Sequence, residues 1–186
     1  MSENASTEDY DVVLLIEQAL TQQDAAQVHS LHEGLEQPVT YHVLLPLEDA
    51  AARIESAMGS LTAGDMLASP TMPMSEVDLE AVRKDCQERS NSELAQTLDA
   101  LRASGATARG QVVVDPPIDA LAAKLAEVDG REAIILTRPH VVSEFFHLDW
   151  TSKARRRLGV PILHLLEHET FDQQAEGYGE EGVTGL

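Results

Sequence analysis

Short apolar runs alternate along this chain with longer stretches whose apolar positions recur every three or four residues. After Tyr10, the run Asp11-Val12-Val13-Leu14-Leu15-Ile16 has strand length and no polar alternation, which is the pattern of a strand covered on both faces. Residues 22–35 follow with Ala25, Val28, Leu31 or His32, and Leu35 at helical spacing, closed by Gly34 and Pro38. A second strand is predicted over 39–47, around Val43, Leu44 and Leu45, and a short alanine-rich helix over 49–58, stopped by Gly59. Residues 59–73 carry Gly, Ser, Thr, Pro and Met without a period and read as an excursion.

Ser75, with Asp78 three residues on, forms a variant capping box that opens the longest helix. Leu79, Val82, Cys86, Leu94, Leu98 and Leu101 then fall near one face, and Gly105 marks the stop. A third strand is predicted at Gln111-Val112-Val113-Val114 and a helix over 117–128, with Pro117 in its first turn. A fourth strand is predicted at Ala133-Ile134-Ile135-Leu136, a helical stretch up to Leu158, and a fifth strand over 160–166. Strands of this kind interleaved with helices imply βαβ units. The handedness of parallel crossovers then favours an α/β, doubly wound, five-stranded parallel sheet with helices on both faces.

Composition narrows the picture. A chain of 186 residues, 43% hydrophobic, suffices for one full core, placed at residues 10–168 between a disordered N-terminus (1–9) and an acidic, glycine-punctuated tail (169–186) expected to be disordered. Lys plus Arg total 13 against 32 Asp plus Glu, a formal net charge of -19. That charge repels nucleic acid and anionic membrane surfaces, so neither is an expected partner. No apolar run approaches the roughly 18 residues of a membrane span. The N-terminus has no secretory pattern, and the single Cys86, within an apolar helical stripe, suits a buried thiol in a reducing compartment; a cytoplasmic protein is expected.

The order of elements resembles the universal stress protein (UspA-like) family, whose fold is also described as adenine nucleotide alpha hydrolase-like. Asp11-Val12-Val13-Leu14-Leu15-Ile16-Glu17 resembles its first strand, with Glu17 where the family usually has aspartate. Val112-Val113-Val114-Asp115-Pro116 with Ile118-Asp119-Ala120-Leu121 resembles its third strand and the start of the next helix. Ala133-Ile134-Ile135-Leu136, Leu148, the basic run from Lys153 to Arg157, and Gly159-Val160-Pro161-Ile162-Leu163 resemble its last half. The resemblance implies strand order 3-2-1-4-5 and a homodimer formed through the last strand, with Val160, Ile162, His164 and Leu166 at the dimer edge. As a terminal edge strand, that apolar segment would otherwise be left unpaired.

One departure from the family pattern bears on function. Nucleotide-binding members carry Gly-x2-Gly-x9-Gly-Ser/Thr after strand four, because only glycine lets backbone amides approach phosphate oxygens without a side chain intervening. This chain has Thr137-Arg138-Pro139-His140-Val141-Val142-Ser143-Glu144-Phe145-Phe146-His147-Leu148-Asp149-Trp150, with no glycine between Gly130 and Gly159. Pro139 lacks an amide donor, Val141 and Val142 add bulk, and Glu144 and Asp149 add negative charge. Family-type ATP binding is therefore not expected, and neither a cofactor nor a resident metal is.

In a doubly wound sheet, ligands bind beyond the carboxyl ends of the strands where connections reverse, which points to a crevice lined by Glu17, Gln18, Thr137, Arg138 and His140. Glu17 and Arg138 could equally close that crevice as an ion pair. Phe145, Phe146 and Trp150 are either a plug filling the nucleotide space or an interaction patch. His164-Leu165-Leu166-Glu167-His168 matches H-x-x-E-H, but on a strand the match lacks the helical face that zinc chemistry needs. His29 and His32 alone make a weak metal site, and the basic run 153–157 reads as neutralising acidic helix faces or as a phosphate contact. No nucleophile elbow, Walker sequence or CxxC pair is present. The expected role is a non-catalytic binding or regulatory module for an unidentified small ligand or protein partner. The alternatives are a nucleotide-dependent switch or hydrolase using Arg138 and His140, and a scaffold acting through its acidic tail.

Overall fold

A computed structural model describes residues 9–47, 76–137 and 156–166. The expected helix at 49–58, the excursion at 59–75, both terminal segments and residues 138–155 lie outside the described residues. The elements are β1 (Tyr10–Ile16), α1 (Gln22–Ser30), β2 (Val39–Pro46), α2 (Glu76–Ala103), β3 (Thr107–Val113), α3 (Pro117–Val128), β4 (Glu132–Thr137) and β5 (Ile162–Leu166). Every strand pair is parallel, and the five strands lie in the order β3-β2-β1-β4-β5. Fold class and strand order are those expected.

Alternation along the strands divides the core in two. Val12, Leu14, Ile16, Tyr41, Val43, Leu45, Ile134, Leu136 and Leu165 point to one face, where Ala25 and Val28 of α1 and Leu94 and Leu101 of α2 close over them. Val13, Leu15, Leu44, Ala133 and Ile135 point to the other, under Ala120, Leu121 and Leu125 of α3. With both faces clad, β1 is buried from Val12 to Ile16, which is why its sequence shows no polar alternation.

Helix starts and stops follow local chemistry. Thr21 caps α1: its hydroxyl accepts from the Asp24 amide at 3.1 Å, and the Asp24 carboxylate accepts from the Thr21 amide at 3.0 Å. The helix ends at Ser30 rather than continuing to residue 35, so Leu31 and Leu35 are exposed while His32 turns into the core. In α2, Cys86, Leu94 and Leu101 are buried as their spacing indicates, joined by Ser90 and Thr97. At the end of α3, Asp129 takes the left-handed conformation (φ 52°) more usual for glycine, and Gly130 donates its amide to the Leu125 carbonyl at 2.9 Å.

Two strand starts also differ from expectation. β3 begins at Thr107, earlier than the apolar run, because Arg109 and Gln111 occupy outward positions that no described helix buries. β5 begins at Ile162, after Gly159 has turned the chain with φ 70°. Within the basic run, Arg157 pairs with Asp119 of α3, in line with the reading that these cations neutralise acidic helix faces. Lys153 and Arg155 lie outside the described residues.

Candidate functional site

The carboxyl ends of β1 and β4 lie side by side, with Ile16 registered to Leu136. Glu17 and Gln18 follow β1 directly and are half-buried. The loop they occupy is fixed at its far end, where the Leu20 amide donates to Thr97 Oγ1 of α2 at 3.0 Å in a buried hydrogen bond just before the Thr21 cap. Thr137, the last residue of β4, is buried, and its hydroxyl lies 2.8 Å from His164 Nε2 on β5. Desolvation by burial holds the His164 ring below the usual histidine pKa, which favours the neutral imidazole. The strand ends thus bring Glu17, Gln18 and Thr137 to one rim, as the topology requires. Arg138 and His140, expected at the same rim, and Phe145, Phe146 and Trp150 lie outside the described residues, as does His168.

Of the edge residues, Val160 and Ile162 are partly buried and pack against the second-face core, His164 points to Thr137, and Leu166 is half-buried. Leu163, within the same strand, is 39% exposed.

A second polar assembly, at the amino ends of the strands, was also missed. His32, only 7% exposed, places Nε2 2.6 Å from Glu132 Oε1 and Nδ1 2.7 Å from the Tyr41 hydroxyl. The Tyr41 hydroxyl lies 3.3 Å from the Val28 carbonyl oxygen and bridges the two, while Tyr10 donates to Glu132 Oε2 at 3.3 Å. Burial, reinforced by the Glu132 carboxylate, pushes both phenols above their ordinary pKa. On the other face, His42 Nε2 lies 2.5 Å from Asp11 Oδ1. With both ring nitrogens of His32 occupied, the first network straps the α1–β2 connection to β4 rather than offering a base to a substrate. A carboxylate directly preceding a buried apolar run, as at Asp11 and Glu132, is the sequence signal that could have flagged both pairs.

Among the described residues, no group of three or more His, Cys, Asp or Glu side chains is placed to hold a metal ion. His29 and His32 do not converge as a ligand pair, since His32 is committed to Glu132 and Tyr41. No described helix is long and apolar enough to cross a membrane.

No protein-family model matches the sequence, and no curated protein does. Solved structures do match. The hypothetical protein MJ0577 aligns with a TM-score of 0.53 at 11% identity, over 87% of this chain and 99% of that one. The universal stress protein from Archaeoglobus fulgidus aligns at 0.46 and 12% identity, over 84% and 93% of the two chains. A universal stress protein family protein from Arabidopsis thaliana, solved with AMP bound, aligns at 0.47 and 10% identity, over 85% and 92%. At such identities the likeness is one of fold, and this chain has the universal stress protein-like α/β fold.

Proposed function

We propose that this protein is a non-catalytic binding or regulatory module of the universal stress type that does not hold a nucleotide triphosphate in the family manner. The observation that carries this reading is the chain from Arg131 to Leu158, which leaves β4 at the rim where a phosphate loop would begin and contains no glycine. Backbone amides can surround a phosphate only where no Cβ intervenes, so a segment holding Pro139, Val141 and Val142 is a poor cradle. The Thr137 hydroxyl at the same rim is already engaged by His164. The residues present therefore do not fit the nucleotide. On this reading the rim at Glu17, Gln18 and Thr137, with Arg138 and His140 next in sequence, serves a smaller ligand, and the aromatic residues Phe145, Phe146 and Trp150 serve a protein partner.

The same reading includes a homodimer through β5. Its support is that, among the described residues, β5 is an outer strand of the sheet and Leu163 is exposed, so a second copy would bury that apolar side chain at the sheet's edge. It also includes a cytoplasmic location, which the buried thiol of Cys86 suits. Thermal unfolding with and without ATP and magnesium tests the ligand reading. An unchanged melting temperature is expected, and a saturable rise would replace this reading with the nucleotide-switch alternative. Sedimentation at micromolar concentration tests the dimer, which a monomer would refute.

A further inference from the structure

The second face of the sheet is unevenly covered. α3 lies over β1, β2 and β4, and between α3 and the outer part of the sheet there is a pocket of about 180 Å³. Its lining comes from His42 of β2, Arg109, Gly110 and Gln111 of β3, and Lys124 and Glu127 of α3. The parallel register pairs His42 with Arg109, so a cation and an imidazole stand side by side on adjacent strands.

The charge arrangement is unusual for this molecule. In a chain of net charge -19 with only 13 Lys and Arg, two of those cations face one small cavity beside a histidine. Among the described residues, Arg109 has no ion-pair partner, although it is exposed and five donors fan from its guanidinium. The Lys124 side chain is only 12% exposed, rare for lysine, and its ammonium is held at 2.8 Å by Glu127, whose own side chain is 65% exposed. The Lys124 stem is thus packed and the position of its ammonium fixed, while Glu127 is a solvated counter-ion able to swing away when a better anion arrives. Its carboxyl lies below the usual pKa through the hydrogen bond and charge of Lys124, with a weaker contribution from His42, which places all three groups in one electrostatic neighbourhood. His42 is held through Nε2 by Asp11, so its ring cannot turn freely.

We infer that this pocket is a binding site for a small oxyanion, a phosphate or a carboxylate, clasped by the Arg109 guanidinium and the Lys124 ammonium after displacement of the Glu127 carboxylate. A planar guanidinium suits such groups through paired N–H donors, and an ammonium on a packed stem loses less conformational freedom on binding than one on a freely moving side chain. Gln111 adds a neutral amide at the rim. The site is separate from the strand-end crevice and does not depend on the function proposed for it.

The test is an NMR titration of the full chain with inorganic phosphate and, separately, with succinate, at constant ionic strength. Saturable shifts centred on the amides of Gly110 and Gln111 are expected from at least one anion, and the tighter of the two names the ligand class. Arg109→Gln should weaken binding by about tenfold or more. Glu127→Gln should tighten it, because the competing carboxylate is gone. Arg89→Gln, the same charge change on the exposed surface of α2, and Glu36→Gln, its counterpart, should alter affinity by less than about twofold, as expected for distant screened charges. The inference is overturned if neither anion gives saturable shifts at millimolar concentration. It is equally overturned if the shifts centre elsewhere, or if each control moves affinity as much as its pocket variant. Amide spectra of each variant confirm an intact fold, and these surface changes leave the buried core untouched.

Discussion

On one face of the sheet, β3 contributes Ala108 and Val112 to a core closed by α1 and α2; on the other, the same strand presents Arg109 and Gln111 beside α3 but outside its core. Adjacent residues of one strand therefore meet two environments, because the crossovers from β1 to β2 and from β2 to β3 place their helices on the first face, whereas the described helix of the second face lies over β1, β2 and β4 more than over β3. A sheet can be sealed on one side for stability and left partly open on the other for recognition. On the sealed side, the polar groups that do enter, His32, Tyr41 and Glu132, satisfy one another.

Substitution distinguishes the two faces. Leu14→Ala, a fully buried position of the first face, should cost about 2–5 kcal/mol in urea unfolding, whereas Arg109→Ala should stay within about 0.5 kcal/mol. Equal costs would mean that the two faces are not differently clad.

Tyr41→Phe keeps the ring and removes the hydroxyl between His32 and the Val28 carbonyl, leaving a buried ring nitrogen unsatisfied. A loss of about 1–3 kcal/mol is expected, shared non-additively with Glu132→Gln in a double-mutant cycle. Additive losses would show that the strap is not one network. Because the Tyr41 hydroxyl titrates above its ordinary value of 10.0, the folded state holds that proton longer than the unfolded one. Its contribution is present below pH 10 and is lost as pH rises beyond it, a loss absent in Tyr41→Phe.

Gly110 tests how closely the first face is packed. A Cβ there would meet the Val43 Cβ, the Val43 carbonyl oxygen and Leu94 Cδ1, each at 2.9 Å. Since backbone cannot easily retreat, Gly110→Ala should destabilise by about 1–3 kcal/mol despite its place on an outer strand.

The smallest expected effect is at His164. Its folded pKa is depressed below the ordinary 6.5, so its contribution is complete above that value and is lost as pH falls through the window beneath it. Urea midpoints measured above and below pH 6.5 should fall less on acidification in His164→Asn than in the parent chain. Parallel falls would remove His164 from the account.

How much was legible in the sequence follows from the same contrast. Continuous apolar runs such as Val12 to Ile16 and Ala133 to Leu136 announce doubly covered strands, and the alternating helices then force a parallel, doubly wound sheet. The first half of β3 escaped notice because Arg109 and Gln111 interrupt the apolar pattern where one face is open. Helix α1 was drawn too long because Leu31, His32 and Leu35 share helical spacing, yet the residue that turned inward was His32, drawn by partners distant in sequence, Glu132 and Tyr41. Long-range pairs of this kind have no local period to betray them. At the strand ends, Glu17, Gln18 and Thr137 lie at the carboxyl rim because each ends or directly follows its strand, a position that topology alone dictates.

The central claim concerns what that rim excludes. Protein purified under native conditions, denatured, and its released small molecules separated and weighed by mass spectrometry should yield no stoichiometric adenine nucleotide. One equivalent of ATP, ADP or AMP per chain would contradict the account.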